Sequence, residues 1–416
     1  MYILKLQRVK QYRKQYIDKY RTIQYLVSKK PVVISSSDEL KAIIMSRQNF
    51  WVDPSKYIQH IHVEESCLDI AHTREILARA GLPFNIIKDK QEHLGIAGES
   101  SSNFTEGKKH LFLCKNRGQF FKPCPGTRVY RCCDYHILNI GMNCPMDCTY
   151  CILQAYLNKP WLSHFVNIED MFLEMDQTLA SDPERLLRIG TGEFTDSLAL
   201  DRLTGLSARL IRYVSGKKQI VLELKTKSAC IDNLEGLPHA GRIIVSWSLN
   251  APAIMKKEEL RAAPLAQRLA AARKCAKWGY KLAFHFDPII EHPGWKEGYG
   301  DTIDRLFSAV PRDAIAWISL GALRYLPQLK TIGTERFPGS RIFYQEFIEG
   351  LDGKSRYFRP HRTEMYKYVY DRLKKKASGD TCIYFCMESD EIWKEVTGYN
   401  PEEKGGIPAM LDRAVF

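Results

Sequence analysis

A regular alternation of apolar, strand-like segments with helical segments runs through residues 134–324 and constrains the fold most strongly. About six strands alternate with helices here, beginning at YHILNIGM and ending at AIAWISLGAL. Apolar strands that alternate with helices form a parallel sheet covered by helices. Six such units are too few to close an eight-stranded barrel, so the pattern predicts an α/β fold with a partial (β/α)6 barrel.

Less regular segments flank this predicted barrel on both sides. Residues 1–110 predict a basic N-terminal helix and a small α/β segment, which ends in the Gly/Ser-rich linker GIAGESSSNFTEGKKH. Residues 120–325 contain the barrel. Residues 326–416 predict an α+β C-terminal extension whose first part mixes Arg and Lys with Tyr and Phe.

Composition narrows the setting in which the chain works. The net charge of +13 and pI near 9.1 favour a polyanionic partner such as DNA. No apolar run is long enough to span a membrane, and the N-terminus is too charged for a signal peptide. We therefore expect a cytoplasmic protein without a membrane partner, in which the 12 cysteines stay reduced and serve metal or redox chemistry.

The segment NCPMDCTYCILQAY places Cys144, Cys148 and Cys151 at the spacing C-x3-C-x2-C. A structural zinc site uses four closed ligands, whereas three thiolates leave one iron of a [4Fe–4S] cluster without a protein ligand. An open coordination position is what a catalytic metal site keeps. The alternative is a zinc site completed by Cys132, Cys133 or a distant histidine.

This spacing, after the first strand of a predicted barrel, resembles the motif of the radical S-adenosylmethionine superfamily. The resemblance implies that the three cysteines hold a [4Fe–4S] cluster and that S-adenosylmethionine chelates the open iron. One-electron reduction, by a donor such as flavodoxin or ferredoxin, then yields a 5′-deoxyadenosyl radical.

The same resemblance implies which residues contact S-adenosylmethionine. Tyr150 lies where an aromatic ring borders the adenine, and Glu193 in RIGTGEF lies where an acid binds the methionine ammonium group. Lys227 ends the third strand, where it can pair with the methionine carboxylate. The other expected contacts, also at strand ends, are Gly192, Thr195, Ser248, Asn250 and Asp287.

Four further blocks, GMNCPMDCTYCILQAYLNKP, KTKSACIDNL, VSWSLNAP and GYKLAFHFDPIIEHPGWKEGY, resemble the spore photoproduct lyase family. The likeness spans about residues 120–370 and implies repair of a methylene-bridged thymine dimer in DNA. The segment KSRYFRPHRTEMYKYVY resembles the region that supplies the family's DNA-contacting hairpin. The expected DNA contacts there are Arg356, Tyr357, Arg359 and Arg362.

Two positions depart from the family pattern. The family has a hydrogen-donating cysteine where this chain has Glu193, and a relay tyrosine where it has Ile152. Asp196 and Thr195 match the remaining family block. The sequence offers other thiols as hydrogen donors: Cys382 and Cys386, or Cys132 and Cys133.

Three functional hypotheses follow. The first is a radical enzyme that repairs a DNA lesion with a different hydrogen donor. The second is a radical enzyme of the same scaffold with a non-DNA substrate, whose pocket includes Asp287 and His285. The third is a non-catalytic iron–sulfur or zinc protein that binds nucleic acid.

Overall fold

The computed structural model describes residues 51–88, 103–124, 126 and 129–416. Residues 51–416 form one compact unit. The predicted basic N-terminal helix and the strand PVVISS lie outside the described residues, as does the first part of the predicted linker. No helix among the described residues is long and apolar enough to cross a membrane.

The strands, in chain order, are β1 His60–Glu64, β2 Phe84–Ile87, β3 His110–Cys114, β4 Phe121–Pro123, β5 His136–Leu138, β6 Gly141–Met142, β7 Asp147–Cys148, β8 Leu162–Phe165, β9 Leu187–Gly190, β10 Ile220–Thr226, β11 Ile243–Ser248, β12 Glu259–Leu260, β13 Lys281–Ile289, β14 Ile315–Ala322, β15 Arg324–Tyr325, β16 Phe347–Glu349, β17 Ser355–Tyr357 and β18 Cys382–Phe385.

The α-helices are α1 Ala71–Ala80, α2 Asn103–Gly107, α3 Leu153–Tyr156, α4 Ile168–Ser181, α5 Asp201–Thr204, α6 Leu206–Ser215, α7 Pro252–Glu258, α8 Leu265–Lys277, α9 Trp295–Ala309, α10 Pro327–Arg336, α11 Arg359–Lys376, α12 Asp390–Thr397 and α13 Gly406–Val415.

The main sheet confirms the predicted partial barrel. Its order is β18-β14-β13-β11-β10-β9-β5-β4, and every pair is parallel except β4 with β5. The six predicted strands are β5, β9, β10, β11, β13 and β14. A seventh parallel strand, β18, comes from the C-terminal extension and pairs with β14. Because parallel strands point the same way, their carboxyl ends meet at one rim, where the site is built.

A second sheet has the order β2-β1-β3-β8-β6. Along the chain, its strands come before β4 or between β5 and β9. It combines strands of the predicted N-terminal segment with β6 and β8, which belong to the predicted barrel region. A separate core that includes Val63, Ile76 and Leu113 fills its interior. Helix α1 ends at Gly81, whose φ of 60° suits a left-handed cap.

The segment ALDRLTGLSARLIRYVSG has a helical apolar pattern, but it does not form a single helix. It forms α5 and α6, which are separated by Gly205 with φ of 60°. A left-handed residue cannot continue a right-handed helix, so the axis changes direction there. In the C-terminal extension, β15, β17 and β16 form a small antiparallel sheet next to the barrel rim.

Candidate active site

The three motif cysteines lie on the loop that follows β5 and β6. Cys148 is buried, while Cys144 and Cys151 are partly exposed, and all three line a single cavity of about 320 Å³. Asn143 begins the loop with φ of 68°, and its side-chain oxygen accepts a hydrogen bond of 2.8 Å from the Cys144 amide. Asparagine tolerates this left-handed conformation, so the residue before the first cysteine turns the chain toward the cavity.

Two sets of contacts hold this loop in place. The Gln154 side-chain amide donates to the carbonyl oxygens of Cys148, Thr149 and Cys151 at 3.0–3.3 Å. The buried Asp147 carboxylate accepts hydrogen bonds from Lys108 at 3.0 Å and Arg336 at 2.9 Å. The loop that carries the cysteines is therefore fixed through its backbone and through a buried ionic cluster, and the thiols themselves are left available.

A third contact positions Tyr150, the aromatic residue between the second and third cysteines. Its hydroxyl donates to the carboxylate of Glu259, which also pairs with Arg268 at 2.5 Å. The Lys227 ammonium group lies 5.5 Å from the centre of the Tyr150 ring, within cation–π range. Burial and the Glu259 carboxylate both raise the pKa of the Tyr150 hydroxyl, which keeps it protonated.

The cavity brings together most of the predicted cofactor contacts. Seven of the eight line it: Tyr150, Gly192, Glu193, Thr195, Lys227, Ser248 and Asp287. The eighth, Asn250, is not among the lining residues and has a structural role. Its amide nitrogen donates to the Pro288 carbonyl at 2.8 Å, and its oxygen accepts from the Tyr299 hydroxyl at 2.6 Å.

The loop after β9 is shaped by Asp196 and Gly192. The Asp196 carboxylate accepts hydrogen bonds from the Thr226 hydroxyl at 2.6 Å and the Lys227 amide at 2.7 Å, which fastens this loop to the end of β10. A Cβ atom on Gly192 would lie 3.0 Å from the Cβ of Lys225. A larger residue at this position would push the loop away from β10 and change the cavity wall.

Charged side chains on the inner wall include two that the sequence analysis missed, Lys225 and Arg324. Arg324 pairs with Asp287 at 3.1 Å. Burial opposes ionisation of Asp287, but Arg324 and Lys225 outweigh it and hold the pKa of this carboxyl below its usual value. Burial likewise disfavours the Lys225 charge, yet the carboxylates of Glu193, Asp287 and Glu223 raise its pKa. Glu223 and Lys225 lie two residues apart in the apolar strand IVLELKT, so their side chains point to the same face of the sheet. This spacing is the feature of the sequence that could have predicted charged side chains on the inner wall.

His285, expected in the pocket under the second hypothesis, does not line the cavity. Its ring nitrogens lie 2.6 Å from the Glu223 carboxylate and 2.6 Å from the Ser319 hydroxyl. All three residues are buried. Burial opposes ionisation of Glu223, but the contact with His285 lowers its pKa below the ordinary value. This network joins three strands inside the barrel, and the expectation that His285 lines the cavity is wrong.

The proposed thiol donors have different environments. Cys382 is buried and is the first residue of β18, whose carboxyl end faces the rim. It therefore lies away from the rim, at the opposite end of the strand, and the structure contradicts its assignment as a donor in this cavity. Cys386 follows the carboxyl end of β18, and Arg324 donates to its sulfur at 3.5 Å.

The predicted DNA contacts are mostly buried. Arg356 pairs with Asp352 at 2.9 Å, and Arg362 lies 3.1 Å from Glu388. Tyr357 is fully buried, and its hydroxyl accepts from a backbone amide. The structure therefore contradicts direct contact of these three side chains with phosphates. Instead, they hold the small sheet against the barrel. Arg359 is the exposed one, and it pairs with a glutamate on the surface.

The three motif thiols are chemically suited to hold an iron–sulfur cluster. Three thiols from one loop face one cavity, and burial raises the pKa of Cys148 to about 12. Metal coordination replaces the proton of such a thiol. Among the described residues no three Cys, His, Asp or Glu side chains already converge on one point as metal ligands.

Comparison with known proteins gives one family. The family model described as spore photoproduct lyase matches residues 59–387. The spore photoproduct lyase of Bacillus subtilis (strain 168) is 26% identical over 304 residues, which cover 70% of this chain and 86% of that protein. The enzyme of the same name from Geobacillus sp. (strain Y412MC61) is 26% identical over 280 residues, covering 66% of this chain and 78% of the relative.

Solved structures agree on the fold. A spore photoproduct lyase mutant with bound AdoMet and dinucleoside spore photoproduct superimposes with a TM-score of 0.71 at 22% identity. The match covers 79% of this chain and 98% of that structure. A spore photoproduct lyase complexed with dinucleoside spore photoproduct gives a TM-score of 0.70 at 21% identity. The partial barrel and the sheets around it are thus a known arrangement.

Proposed function

This chain belongs to the spore photoproduct lyase family of radical S-adenosylmethionine enzymes, and from this premise we propose that it repairs a pyrimidine photoproduct in DNA. Cys144, Cys148 and Cys151 would hold a [4Fe–4S] cluster, with S-adenosylmethionine in the cavity beside it. The observation that carries the proposal is that these three thiols and seven expected cofactor contacts line one cavity at the barrel rim.

When bound, the reduced cluster supplies the electron that cleaves S-adenosylmethionine to a 5′-deoxyadenosyl radical. The residues of this chain bind and orient the reactants. Lys227 offers a cation for the methionine carboxylate, and Glu193 offers an anion for its ammonium group. Tyr150 offers an apolar ring that Glu259 holds in one orientation. The electron would come from a flavodoxin or ferredoxin in the cytoplasm.

Support for a DNA substrate comes from the relatives and from the surface near the rim. The solved relatives hold a dinucleoside spore photoproduct, and this chain carries a net charge of +13. The turn between β16 and β17 exposes Leu351 at 82%, while Lys354 on the same turn lines the cavity. We propose that this turn approaches the base stack through the exposed Leu351 side chain. Arg356 acts indirectly, because it fixes the turn through Asp352.

One observation favours a second candidate, a radical enzyme of the same fold with a small charged substrate. The inner wall carries Glu193, Lys225 and the Asp287–Arg324 pair, which is more charge than a neutral base lesion needs. A charged substrate could replace one partner of each ion pair. Under this proposal, DNA would neither bind tightly nor stimulate cleavage of S-adenosylmethionine.

Anaerobic reconstitution tests the proposed function. We expect about four irons per chain and reductant-dependent 5′-deoxyadenosine, both lost in Cys148→Ala. Cys275→Ala is the matched control, because Cys275 is a buried thiol on α8 outside the cavity. Bound zinc with no cleavage of S-adenosylmethionine would refute an enzymatic role and support the non-catalytic hypothesis.

DNA is tested separately from radical formation. Repair of the dinucleoside spore photoproduct should occur, and binding to duplex DNA should weaken steeply with salt because phosphate contacts release counterions. Normal 5′-deoxyadenosine formation without repair, together with salt-independent binding, would favour the charged-substrate candidate. Leu351→Ala should weaken duplex binding and leave 5′-deoxyadenosine formation with the dinucleoside unchanged.

A further inference from the structure

The partial barrel has a seam where its first and last strands do not pair. On one side are Cys124, Gly126 and residues 129–135 before β5, and on the other is the segment 386–390 after β18. Arg131 closes this seam. Its amide donates to the Glu388 carbonyl at 3.1 Å, and its guanidinium pairs with Asp390 at 2.6 Å.

Four thiols meet at this seam. Cys124, Cys132 and Cys133 come from the first segment, and Cys386 comes from the second. The Cys132 sulfur lies 3.0 Å from the position that a Cβ atom on Gly126 would take, so Cys132 packs close to the chain just after Cys124. Cys132 is exposed, whereas Cys124 is a lining residue of the active-site cavity. Of the four thiols named here, only Cys124 lines the cavity.

Cys124 shares the cavity wall with the residue that occupies the usual donor position. Both Cys124 and Glu193 line the cavity. The backbone fixes Cys124 on both sides: its amide donates to the Tyr135 carbonyl at 2.8 Å, and its carbonyl accepts from the Gly126 amide at 2.7 Å. An ordered thiol thus faces the same space from a different strand.

We propose that Cys124 is the hydrogen-atom donor that ends the reaction in this chain. The inference rests on the proposed function and assigns a residue that the family pattern does not contain. A positioned thiol is required because the usual donor position holds a carboxylate, which has no S–H bond. Cys124 lines the same cavity as the residue at that position.

The step balances without an added oxidant or reductant. The Cys124 S–H bond breaks homolytically and a C–H bond forms on the substrate radical, which leaves repaired product and a thiyl radical on Cys124. That thiyl radical takes a hydrogen atom from 5′-deoxyadenosine, so the thiol and the 5′-deoxyadenosyl radical are both restored. One hydrogen atom has moved to the product and one has returned to the thiol.

The environment of Cys124 suits a donor that must remain protonated. Burial, followed by the Glu193 carboxylate, raises the pKa of the Cys124 thiol to about 12. Where the family has its hydrogen-donating cysteine, this chain thus has a carboxylate that helps to keep the Cys124 thiol neutral. Cys386 is a weaker choice, because its sulfur already accepts a hydrogen bond from Arg324 and it does not line the cavity.

The test measures product and 5′-deoxyadenosine separately with the dinucleoside spore photoproduct in D2O, where thiol hydrogens exchange. In the wild type we expect deuterium in the repaired product. Cys124→Ala should still form 5′-deoxyadenosine but lose repaired product by about ten-fold or more. Cys382→Ala is the matched control, since it removes a buried thiol at the far end of β18.

Three outcomes would overturn the proposal. The first is a Cys124→Ala protein with normal yield and deuterium content. The second is a loss of product in Cys386→Ala that Cys124→Ala does not show. The third, a wild type that forms no 5′-deoxyadenosine when it is reduced without substrate, overturns the proposed function together with this inference, whereas the first two leave that function standing.

A second measurement needs neither cluster nor activity. Iodoacetamide should alkylate Cys124 several-fold faster at pH 9 in Glu193→Gln than in the wild type, because removing the carboxylate lowers the thiol pKa. Mass mapping assigns the labelled cysteine, and Cys275 serves as the internal control. Equal rates at Cys124 in the two proteins would show that Glu193 does not face this thiol, which would overturn the proposed arrangement.

Discussion

Replacing Asp147 by asparagine tests how the cysteine loop is held. The Asp147 carboxylate is buried between Lys108 at 3.0 Å and Arg336 at 2.9 Å, and these two cations expose only 1% and 2% of their side chains. The variant leaves both cations buried without an anion. Breaking a buried ion pair from one side costs about 3–5 kcal/mol, and the asparagine recovers about 1 kcal/mol through a hydrogen bond to Thr105.

We therefore expect Asp147→Asn to lower the free energy of unfolding by about 3 kcal/mol, a large share of the 5–15 kcal/mol that is usual for a domain. Urea titration followed by far-UV circular dichroism measures this change as a lower midpoint with an unchanged slope. Asp176→Asn is the matched control. Asp176 pairs with Lys217 at 2.6 Å, but at 48% exposure the pair contributes less than about 1 kcal/mol.

The pH dependence gives the same prediction a second test. Burial opposes ionisation of Asp147, but Lys108 and Arg336 outweigh it and depress its pKa. A depressed carboxyl pKa stabilises the fold above the unfolded value of about 3.9, and this stabilisation is lost as the pH falls through the folded pKa. The difference in the free energy of unfolding between the wild type and Asp147→Asn should thus stay at about 3 kcal/mol from pH 5 to 8 and become smaller below about pH 4. If Asp147→Asn lowered the free energy of unfolding no more than Asp176→Asn does, the Asp147 carboxylate would not hold the cysteine loop in the way described.

Two further predictions concern buried positions near the sheets. Gly190→Ala should destabilise the protein by about 1–3 kcal/mol, because its Cβ would overlap the buried Tyr135 hydroxyl; Gly339→Ala, with open space around it, is the thermal-unfolding control. His72 and His164, 3.0 Å apart, should weaken the fold in acid, because burial lowers the pKa of His72 to about 4. By pH 5 this histidine alone should cost about 2 kcal/mol relative to pH 8, and His72→Phe should flatten that dependence; an unchanged profile would contradict it.

The partial barrel was predictable from the sequence because strand and helix periods depend on local spacing of apolar residues. Seven of the eight expected cofactor contacts line the cavity, because Tyr150 lies on the cysteine loop and the others were placed at the carboxyl ends of parallel strands. Asn250 does not line the cavity, although it also follows a strand. Its side chain turns to the Pro288 carbonyl and the Tyr299 hydroxyl, and sequence spacing does not show which way a side chain turns at a strand end.

The basic residues of the C-terminal extension show a second limit. Arg356 and Arg362 looked like phosphate ligands because they are charged and clustered with aromatic residues. Their partners, Asp352 and Glu388, are brought to them by the small sheet and by the segment after β18. Charge composition describes what a surface can bind only when the charged side chains are on the surface.

The sequence by itself determined the fold class, the family and the three cysteines that point to a radical enzyme. These depend on local patterns, which survive divergence to 26% identity with the relatives. Only the tertiary structure decided which thiol faces the cavity. Cys124 precedes the cluster loop by twenty residues and carries no motif, and it reaches the site because β4 pairs antiparallel with β5 at the barrel seam. Contacts between distant segments are set by packing, which no local spacing records.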